Sequence, residues 1–441
     1  MKILGLSEGF HDAGACLIEE GEILSATHSE RYSRKKNDRW LHPSQMVEAD
    51  VVSFYEKPWL KRTRQLYAGQ GWKPGRTKYD VSFSHHKTHM AAAYYTRPFA
   101  EEPVCVVIDA IGEWDTASIW YKSKKKWSMK YPKSLGLFYS AITHYVGLKP
   151  MEDEYILMGM AAYGRPQVNM DYVFEKNLHK GLGDIVLGSH EYHIAASAQA
   201  KIEEEIVKIM NKAKKYSEYL CYGGGVALNC VANSKIRPMF KDMWIMPNPG
   251  DCGSSLGAAA LAYGKKLKWR GPYLGTNINQ EINPREVAEY LYDHAYCGVA
   301  NGSAEFGPRA LGNRSLLADP RRNIKDTVNK IKRRQLFRPF APAILEEYAE
   351  EYFSGPMNEY MQFVAKAKHD YSSVTHVDGT ARVQIVRKDC QSILRLILEE
   401  WYEKTGVPML LNTSLNIKGQ PMVDTWLHAQ KFMEKYNVKV F

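Results

Sequence analysis

The chain of 441 residues is too long for one ordinary hydrophobic core, so we expect two or three compact units. With 45% hydrophobic and 24% charged residues, its composition is that of a globular protein and excludes a disordered chain. The formal net charge of +10 gives some face of the molecule excess positive potential, which favours phosphates or a polyanion as ligands.

A pattern of three strands occurs twice in the first part of the chain. The predicted strands are "KILGLS", "AGACLIEE" and "EILSATHSE", and then "PVCVVIDA", "DTASIWYK" and "KWSMKYPKS". Such a duplication predicts two related α/β halves with a cleft between them. The turns "SEGFHDAG" and "DAIGEWD" after the first strand of each copy can bring N–H groups to phosphate oxygens and acidic side chains to a metal ion. This arrangement is typical of the sugar kinase, actin and heat-shock ATPase fold.

The stretch "HHKTHMAAAYY" places three histidines directly ahead of a run of small residues. If a helix begins here, His85 and His89 share one face at metal-ligand separation, and His86 points elsewhere. Asp109 and Asp251 are the candidate oxygen ligands that would complete the shell. An iron, manganese or zinc ion that binds a phosphate or carbamoyl oxygen fits this set of residues better than a zinc ion used for hydrolysis. Polar surface or capping histidines remain an equal alternative.

A glycine triplet follows a predicted long helix over residues 196–216. The stretch "LCYGGGVALNCVANSKI" predicts a short strand, three glycines and the start of a helix. Glycines at such a place let the backbone lie flat against a nucleotide base or ribose. The next stretch, "MWIMPNPGDCGSSLGAAALAYG", predicts a strand, a turn that carries Asp251 and a helix of small residues.

Residues 265–275 are first charged and then rich in glycine and proline, which predicts a domain boundary. We expect a first domain over residues 1–272 and a second over residues 273–441.

Arginines of the second domain stand among Gly, Pro and Asn, as in "SAEFGPRALGNRSLLADPRR" and "FRPFAPAIL". This setting favours rigid guanidinium forks for phosphate or carboxylate. The alternative is that these arginines satisfy buried loop carbonyls. Asn412, Ser414 and Asn416 alternate along a predicted strand, so their side chains project to one side and can hydrogen-bond a polar ligand.

Taken together, these stretches resemble the O-carbamoyltransferases of the nodulation and antibiotic-tailoring type. The likeness covers nearly the whole chain and includes "GGGVALNC", "RPFAP", "DGTARVQ", "LNTSLN" and the very specific "EFGPRALGNRS". It implies a metal- and nucleotide-binding carbamoyl-transfer domain over residues 1–272, with the duplicated ATPase-like fold of the tRNA threonylcarbamoyl-transferring proteins. It also implies a YrdC-like α/β domain over residues 273–441 that forms carbamoyladenylate.

The resemblance also implies roles for single residues. The transfer site would contain His11, as the base for an acceptor hydroxyl, together with His85, His89 and Asp109. The metal ligands would be His85, His89, Asp251 and Asp109. The residues lining the adenosine would be Gly223, Gly224, Gly225 and Asn229. The residues holding carbamoyl phosphate and the ATP phosphates would be Arg309, Arg314, Lys332, Arg338, Arg382, Asn412 and Ser414.

The chain departs from the family's pattern at a few positions. Gln335 follows Arg334 where an acid is usual, Gln420 replaces an acid after the "NTS" strand, and Ile156 replaces a common lysine. These departures affect local contacts and leave the reaction class unchanged. The first domain is also short for the family, which predicts a more open acceptor pocket.

The implied reaction is an ATP-dependent O-carbamoyl transfer from carbamoyl phosphate, through carbamoyladenylate, to an acceptor hydroxyl. The positive charge favours the hydroxymethyl group of 5-hydroxymethylcytosine in DNA or a nucleotide as the acceptor. Trp40, Trp127 and Trp269 stand beside basic runs and are candidates for stacking on bases, or for packing. The alternatives are an antibiotic or lipo-oligosaccharide acceptor, a threonylcarbamoyl transferase acting on tRNA, and a nucleotide-binding regulator without enzymatic activity.

The expected cofactors are a divalent ion (Fe, Mn or Zn) and Mg with ATP. Scattered cysteines without a Cys-x-x-Cys pair argue against a disulfide framework and a thiolate zinc site, so we expect a cytoplasmic protein. We find no run of about eighteen apolar residues and predict neither a signal peptide nor a membrane span. The sequence does not predict an oligomeric state.

Overall fold

The computed structural model describes residues 1–71 and 77–441, which form two compact units. Unit 1 consists of Met1–Ala26 and Arg39–Trp269, and unit 2 consists of Thr27–Asp38 and Arg270–Phe441. Residues 27–38 therefore interrupt unit 1 in sequence and pack with unit 2. This excursion is absent from the predicted division into residues 1–272 and 273–441.

Short strands and helices alternate along the described chain. The strands are β1 (Lys2–Ser7), β2 (Gly14–Glu19), β3 (Glu22–His28), β4 (Val51–Phe54), β5 (Val81–Ser82), β6 (Val104–Gly112), β7 (Asp115–Tyr121), β8 (Lys124–Lys130), β9 (Tyr219–Gly223), β10 (Asp242–Ile245), β11 (Tyr273–Ile278), β12 (Tyr296–Ala300), β13 (Gly302–Glu305), β14 (Arg314–Ala318), β15 (Ala341–Leu345), β16 (Phe353–Ser354), β17 (Ala365–Ala367), β18 (Thr380–Ala381), β19 (Gln384–Val386) and β20 (Met409–Ser414). The helices are α1 (Ser29–Ser33), α2 (Pro58–Tyr67), α3 (His85–Thr96), α4 (Leu135–Tyr145), α5 (Glu154–Met160), α6 (Asp171–Phe174), α7 (Glu191–Lys214), α8 (Cys230–Ile236), α9 (Ser254–Tyr263), α10 (Pro284–His294), α11 (Lys325–Ile331), α12 (Ala349–Tyr352), α13 (Leu394–Thr405) and α14 (Trp426–Tyr436).

Two sheets of unit 1 have the same strand order. The first runs β3-β2-β1-β4-β5 and the second runs β8-β7-β6-β9-β10. The central strand of each sheet, β1 or β6, pairs antiparallel with the next strand of the chain, β2 or β7. On its other side it pairs parallel with β4 or β9. This repeat confirms the predicted duplicated α/β fold of the sugar kinase, actin and heat-shock ATPase type.

Small residues bring three elements of unit 1 into close contact. A Cβ at Gly257 would collide with the carbonyl oxygen of Thr88, and a Cβ at Gly5 would collide with the carbonyl oxygen of Ser255. Helix α9 is therefore held between strand β1 and helix α3. The close packing expected of the alanine-rich helix α3 is confirmed, and it fixes the first turn of that helix in place.

The central sheet of unit 2, in the order β12-β14-β20-β15-β19, is covered on both faces. Leu316 and Leu411 pack with residues of helices α11 and α14. Leu317 and Leu410, which alternate with them along the same strands, pack with residues of helices α10 and α13. In the part of the chain that the structure describes, no helix is both long enough and apolar enough to span a bilayer.

Candidate functional site

Four side chains of unit 1 meet at one point: His85 and His89 of α3, Asp109 of β6, and Asp251. The two imidazole Nε2 atoms lie 3.0 Å apart. The Asp109 Oδ2 atom lies 3.0 Å from Nε2 of His85 and 3.2 Å from Nε2 of His89. The Asp251 Oδ1 atom lies 3.4 Å and 3.3 Å from the same two nitrogens. We call these four residues the His/Asp cluster.

Three elements position the His/Asp cluster. Helix α3 begins at His85, so the two histidines lie one turn apart on its buried face. Asp109 follows Ile108, the last residue of β6 in regular pairing with β7 before the register shifts. Asp251 begins the 3₁₀ turn Asp251–Gly253 that leads into α9. The juxtaposition of residues far apart in sequence depends on the close packing of α3 and α9.

The hydrogen bond of His89 to the backbone gives the imidazole the tautomer of a metal ligand. Its Nδ1 lies 3.0 Å from the carbonyl oxygen of Pro249, which can only accept a hydrogen bond, so Nδ1 carries the proton. In the neutral ring the lone pair of Nε2 then points towards the two carboxylates. A lone pair facing carboxylate oxygens is repulsive unless a proton or a metal ion lies between them. The donor set and its spacing therefore fit one divalent cation.

The electrostatics of the His/Asp cluster also favour a cation. Burial opposes protonation of His85, but the carboxylates of Asp251 and Asp109 outweigh it and raise the pKa of His85 well above its usual value. Burial likewise opposes ionisation of Asp109, but hydrogen bonds that protonated His85 and His89 donate hold its pKa well below the usual range, with the protons in the place that a metal ion would take. Two ionised carboxylates in a buried site require positive charge between them.

His86 faces away from the His/Asp cluster, as predicted. Its Nδ1 lies 2.8 Å from Oγ of Ser118, and burial lowers its pKa to about 3. All three histidines of the stretch are buried, and Ser84 is the residue before the helix. Surface or capping histidines are therefore excluded.

The loop that carries His11 is tied to residues beside the His/Asp cluster. The hydroxyl of Tyr55 donates to the carbonyl oxygen of Glu8 at 3.3 Å, and the rings of Tyr55 and His85 are 5.2 Å apart. A carboxylate oxygen of Asp12 lies within 4.8 Å of Sγ of Cys252, which adjoins Asp251. The Nε2 atom of His11 is buried and has no hydrogen-bond partner among residues 1–71 and 77–441.

The glycine triplet lies against the elements that carry the cluster. A Cβ at Gly223 would be 3.0 Å from the carbonyl oxygen of His89, and one at Gly225 would be 3.2 Å from Oδ1 of Asp109. Gly224 has a φ of +90°, and its Cβ would collide with the carbonyl oxygen of Ile108. These close approaches explain the three glycines, and their predicted contact with adenosine stays a prediction.

The side chain of Asn229 is engaged in local hydrogen bonds. It caps helix α8 by accepting from the backbone N–H of Ala232 at 3.0 Å. Its amide also pairs with the amide of Gln199 through two hydrogen bonds of 3.1 Å. A nucleotide contact by the Asn229 side chain would have to displace one of these partners.

In unit 2, the side chain of Lys332 is buried, with 4% of its surface exposed. It contacts Ser414, the last residue of β20, and Asn416 just beyond it. Its Nζ donates to Oδ1 and to the carbonyl oxygen of Asn416, both at 3.0 Å, and to Oγ of Ser414 at 3.3 Å. Burial lowers the pKa of Lys332 far below its usual range, and the charges of Arg334 and Arg338 lower it further. We call Lys332, Ser414 and Asn416 the lysine site.

The other predicted anion-binding residues are distributed around the same sheet edge. Strand β20 ends where β14 and β15 begin, since Ser414 pairs with Ser315 and Asn412 pairs with Ala341. Arg338 lies shortly before β15, Arg382 shortly before β19 and Arg309 in the loop before β14. Nδ2 of Asn412 donates to Oε1 of Gln384 at 2.7 Å, while its Oδ1 is buried without a partner in the described chain.

Arg314 binds loop carbonyls. It is 0% exposed, and its guanidinium donates only to backbone carbonyl oxygens. The acceptors are the carbonyl oxygens of Thr276, Asn301, Gly302, Asn313 and Asp424. This is the alternative that the sequence left open for these arginines. With Nε, Nη1 and Nη2 all engaged, Arg314 braces the loops around the lysine site.

Both parts of the chain match known family models. Residues 288–441 match a model described as the carbamoyltransferase C-terminus, and residues 50–182 and 185–260 match one described as the carbamoyltransferase N-terminus. Nodulation protein NolNO of Sinorhizobium fredii is 30% identical over 94% of this chain and 75% of its own length. The chain belongs to the carbamoyltransferase family. This carbamoyltransferase is an enzyme, which contradicts the alternative of a regulator without activity.

Further relatives and structures resemble the carbamoyltransferase. The uncharacterized protein sll1178 of Synechocystis sp. is 30% identical over 96% of this chain and 92% of its own length. Among solved structures, the activator of the 2-hydroxyisocaproyl-CoA dehydratase from Clostridium difficile has a TM-score of 0.40 at 14% identity, covering 60% of this chain and 95% of that chain. Full-length HypF has a TM-score of 0.39 at 13% identity, covering 60% of this chain and 55% of that chain.

Glu113 lies beside the His/Asp cluster and was not predicted from the sequence. Its Oε1 accepts from the backbone N–H of Lys57 at 2.6 Å and from that of His85 at 3.4 Å. A Cβ on the preceding Gly112 would collide with the His85 ring. Glu113 therefore anchors the first turn of α3. The signal was the acidic turn "DAIGEWD", whose carboxylates were expected to bind a metal directly.

Proposed function

We propose that this carbamoyltransferase transfers the carbamoyl group of carbamoyl phosphate, through carbamoyladenylate, to an acceptor hydroxyl. Unit 2 would form the adenylate and unit 1 would carry out the transfer. The observation that carries this proposal is the presence of two built sites of different chemistry, the His/Asp cluster in unit 1 and the lysine site in unit 2.

The first half-reaction would take place in unit 2, the predicted YrdC-like domain. Water takes the phosphoryl group of carbamoyl phosphate and releases phosphate, and an oxygen of the resulting carbamate attacks the α-phosphorus of ATP. Pyrophosphate leaves, so one carbamoyladenylate, one phosphate and one pyrophosphate are formed. Carbamoyl phosphate, carbamate, ATP and both phosphate products are anions, so this half-reaction requires a cationic site that restricts the access of water.

The crowding of positive charge around Lys332 supports an anion site. Arg334 and Arg338 lower the pKa of the Lys332 ammonium, which is already disfavoured by burial. A bound phosphoryl group would take the place of one of the Nζ acceptors in Ser414 or Asn416, offset this repulsion and return the lysine to its charged form. Arg309, Arg338 and Arg382 would add guanidinium donors, with Ser414 and Asn412 as neutral partners.

The second half-reaction would take place beside the His/Asp cluster. A divalent ion held by His85, His89, Asp109 and Asp251 would supply charge stabilisation for the carbamoyl oxygen or the phosphate. The acceptor oxygen attacks the carbamoyl carbon and AMP leaves. The acceptor must lose its proton as it attacks, and His11, whose Nε2 is buried without a partner in the described chain, is the proposed base. The glycines at 223–225 would lie against the adenosine.

The acceptor we propose is the hydroxymethyl group of 5-hydroxymethylcytosine, in DNA or a nucleotide. In support, residues 122–126, which form the turn between β7 and β8 and the start of β8, are exposed and basic, and the chain carries a net charge of +10. Helix α2 exposes Trp59 at 64% and Tyr67 at 69% and also carries the exposed Arg62, which provides aromatic surface on a basic helix.

The tryptophans named from the sequence have other contacts. Arg39 lies 4.8 Å from the ring of Trp40, and Lys212 lies 4.6 Å from the ring of Trp127. Trp269 makes an edge contact with Trp244 at 6.0 Å. All three are partly buried, which favours packing as their role.

An antibiotic or lipo-oligosaccharide acceptor is the second candidate. It is favoured by the relatives called nodulation proteins, among them NolNO and NolO. Such an acceptor would not use the basic surface, so the salt dependence of acceptor binding separates the two candidates.

The test is to incubate the protein, ATP, carbamoyl phosphate and an oligonucleotide containing 5-hydroxymethylcytosine. We expect mass spectrometry to show one added carbamoyl group per modified base. The same oligonucleotide with 5-methylcytosine is the matched control, because it lacks only the hydroxyl. Consumption of carbamoyl phosphate with no label on the oligonucleotide or on the free nucleotide would reject this acceptor and retain the transferase.

A further inference from the structure

Residues 27–38 are fixed within unit 2 by specific hydrogen bonds. Arg34 donates from Nη1 to the carbonyl oxygen of Met422 at 2.7 Å and from Nη2 to that of Pro421 at 3.1 Å. Within the segment, the carboxylate of Glu30 accepts from Nζ of Lys36 at 3.0 Å and from the backbone N–H of Asn37 at 2.9 Å. The segment is therefore a built part of unit 2.

Arg31, in helix α1 of this segment, is buried with unused hydrogen-bond donors. It is 4% exposed, and Nη2 makes one long hydrogen bond of 3.4 Å to the carbonyl oxygen of Gly307. Its Nε and Nη1 are buried and have no hydrogen-bond partner among the residues that the structure describes. Nε lies 3.9 Å from Oε1 of Glu30, an ion-pair distance that is too long for a hydrogen bond.

Several positive charges lie close to Arg31. The Glu30 carboxylate is shared with Lys36, so it does not neutralise Arg31 alone. Burial lowers the pKa values of Arg34 and Arg314, and the charge of Arg31 lowers both further, while the nearby carboxylates of Asp424, Glu305 and Glu30 act in the opposite direction. A buried guanidinium with open N–H groups and like-charged neighbours is strongly disfavoured unless an anion joins it.

We propose that Arg31 binds a phosphoryl group of the substrates, beside the loop that contains Gly307 and Arg309. Nε and Nη1 lie on different edges of the guanidinium, and each edge is completed by Nη2, whose one bond to Gly307 is long. Either edge can therefore meet two oxygens of a phosphate, and the neighbouring loop carries a second arginine. Residues from the first part of the sequence thus complete the anion site of unit 2. The identity of the anion, carbamoyl phosphate or the departing pyrophosphate of ATP, rests on the proposed function, whereas the binding of an anion by Arg31 does not.

The test compares Arg31→Met and Arg31→Lys with Lys35→Met in the full chain. Lys35 is exposed, so its variant removes one positive charge from the same segment without touching the site. Titration calorimetry with inorganic phosphate and, separately, with pyrophosphate measures binding. We expect Arg31→Met to lower the affinity for one or both anions about tenfold or more, and Arg31→Lys to lower it less. Lys35→Met should change the affinity for either anion less than about twofold.

The pattern over the two anions identifies the source of the bound group. Loss of phosphate affinity, with a matching rise in KM for carbamoyl phosphate, assigns Arg31 to carbamoyl phosphate. Loss of pyrophosphate affinity assigns it to ATP. If Arg31→Met unfolds, Arg31→Lys carries the comparison, because it retains the charge and loses only the fork. Wild-type affinity for both anions in a folded Arg31 variant would overturn the proposal.

Failure of the proposed function has a different signature. If the wild-type protein binds phosphate through Arg31 but releases no pyrophosphate from ATP and carbamoyl phosphate, the adenylate step is rejected and the anion site stands.

Discussion

The Nδ1 atom of His89 donates a hydrogen bond to the carbonyl oxygen of Pro249, 160 residues away in the sequence. This bond selects the tautomer in which Nε2 faces His85, Asp109 and Asp251. Pro249 also lies two residues before Asp251, so the same short segment orients one ligand and supplies another. A backbone carbonyl that accepts from the second ring nitrogen is the contact that orients a histidine ligand in metal sites.

The first prediction concerns metal content. His89→Ala removes one of the four ligands, and we expect the purified variant to retain less than about a tenth of the wild-type divalent metal, measured by inductively coupled plasma mass spectrometry. His86→Asn is the control on the same helix, since His86 contacts Ser118 and not the cluster. Equal metal content in wild type and His89→Ala would contradict the assignment of the cluster.

Glu113 gives a prediction about positioning. Glu113→Ala removes the acceptor for the backbone N–H groups of Lys57 and His85, so the start of α3 loses its anchor and metal affinity should fall about tenfold. Glu113→Gln keeps an oxygen at that place and should bind metal nearly as wild type does. Competition with a chromogenic chelator measures both affinities. If the two variants behave alike, charge rather than the hydrogen bonds is responsible.

The buried Lys332 predicts a pH dependence of stability. Because its pKa in the folded protein is far below its usual range, the unfolded chain binds this proton more tightly than the folded one. The free energy of unfolding should therefore rise as pH increases from the folded pKa towards the ordinary lysine value. Urea unfolding over that range should show a steeper rise for wild type than for Lys332→Met. Identical slopes would mean that Lys332 is not perturbed.

Much of the fold could be predicted from the sequence because the patterns that indicate it are local. The strands of both copies, the helix at His85 and the turn before α9 follow from hydrophobic periodicity and glycine placement, and the structure confirms them. His85 and Asp251 were named as partners although 166 residues separate them, because their ligand chemistry is complementary.

Other features could not be predicted because they depend on distant contacts. The run that contains Arg31 and Arg34 has the composition of an exposed basic turn, yet Arg34 bonds to carbonyls 387 and 388 residues away. Arg314 stands in a motif that suits a ligand-binding fork, and only the loops that converge on it show that its donors are taken. Neither fact is encoded in local spacing.

The most direct test of the two-site account is to measure carbamoyladenylate itself, without an acceptor. Wild type, His89→Ala and Lys332→Met are mixed with ATP and carbamoyl phosphate, quenched rapidly and examined by liquid chromatography and mass spectrometry. We predict that wild type and His89→Ala form carbamoyladenylate with pyrophosphate, while Lys332→Met forms neither. Adenylate formation that is lost in His89→Ala, or that is unimpaired in Lys332→Met, would contradict the account.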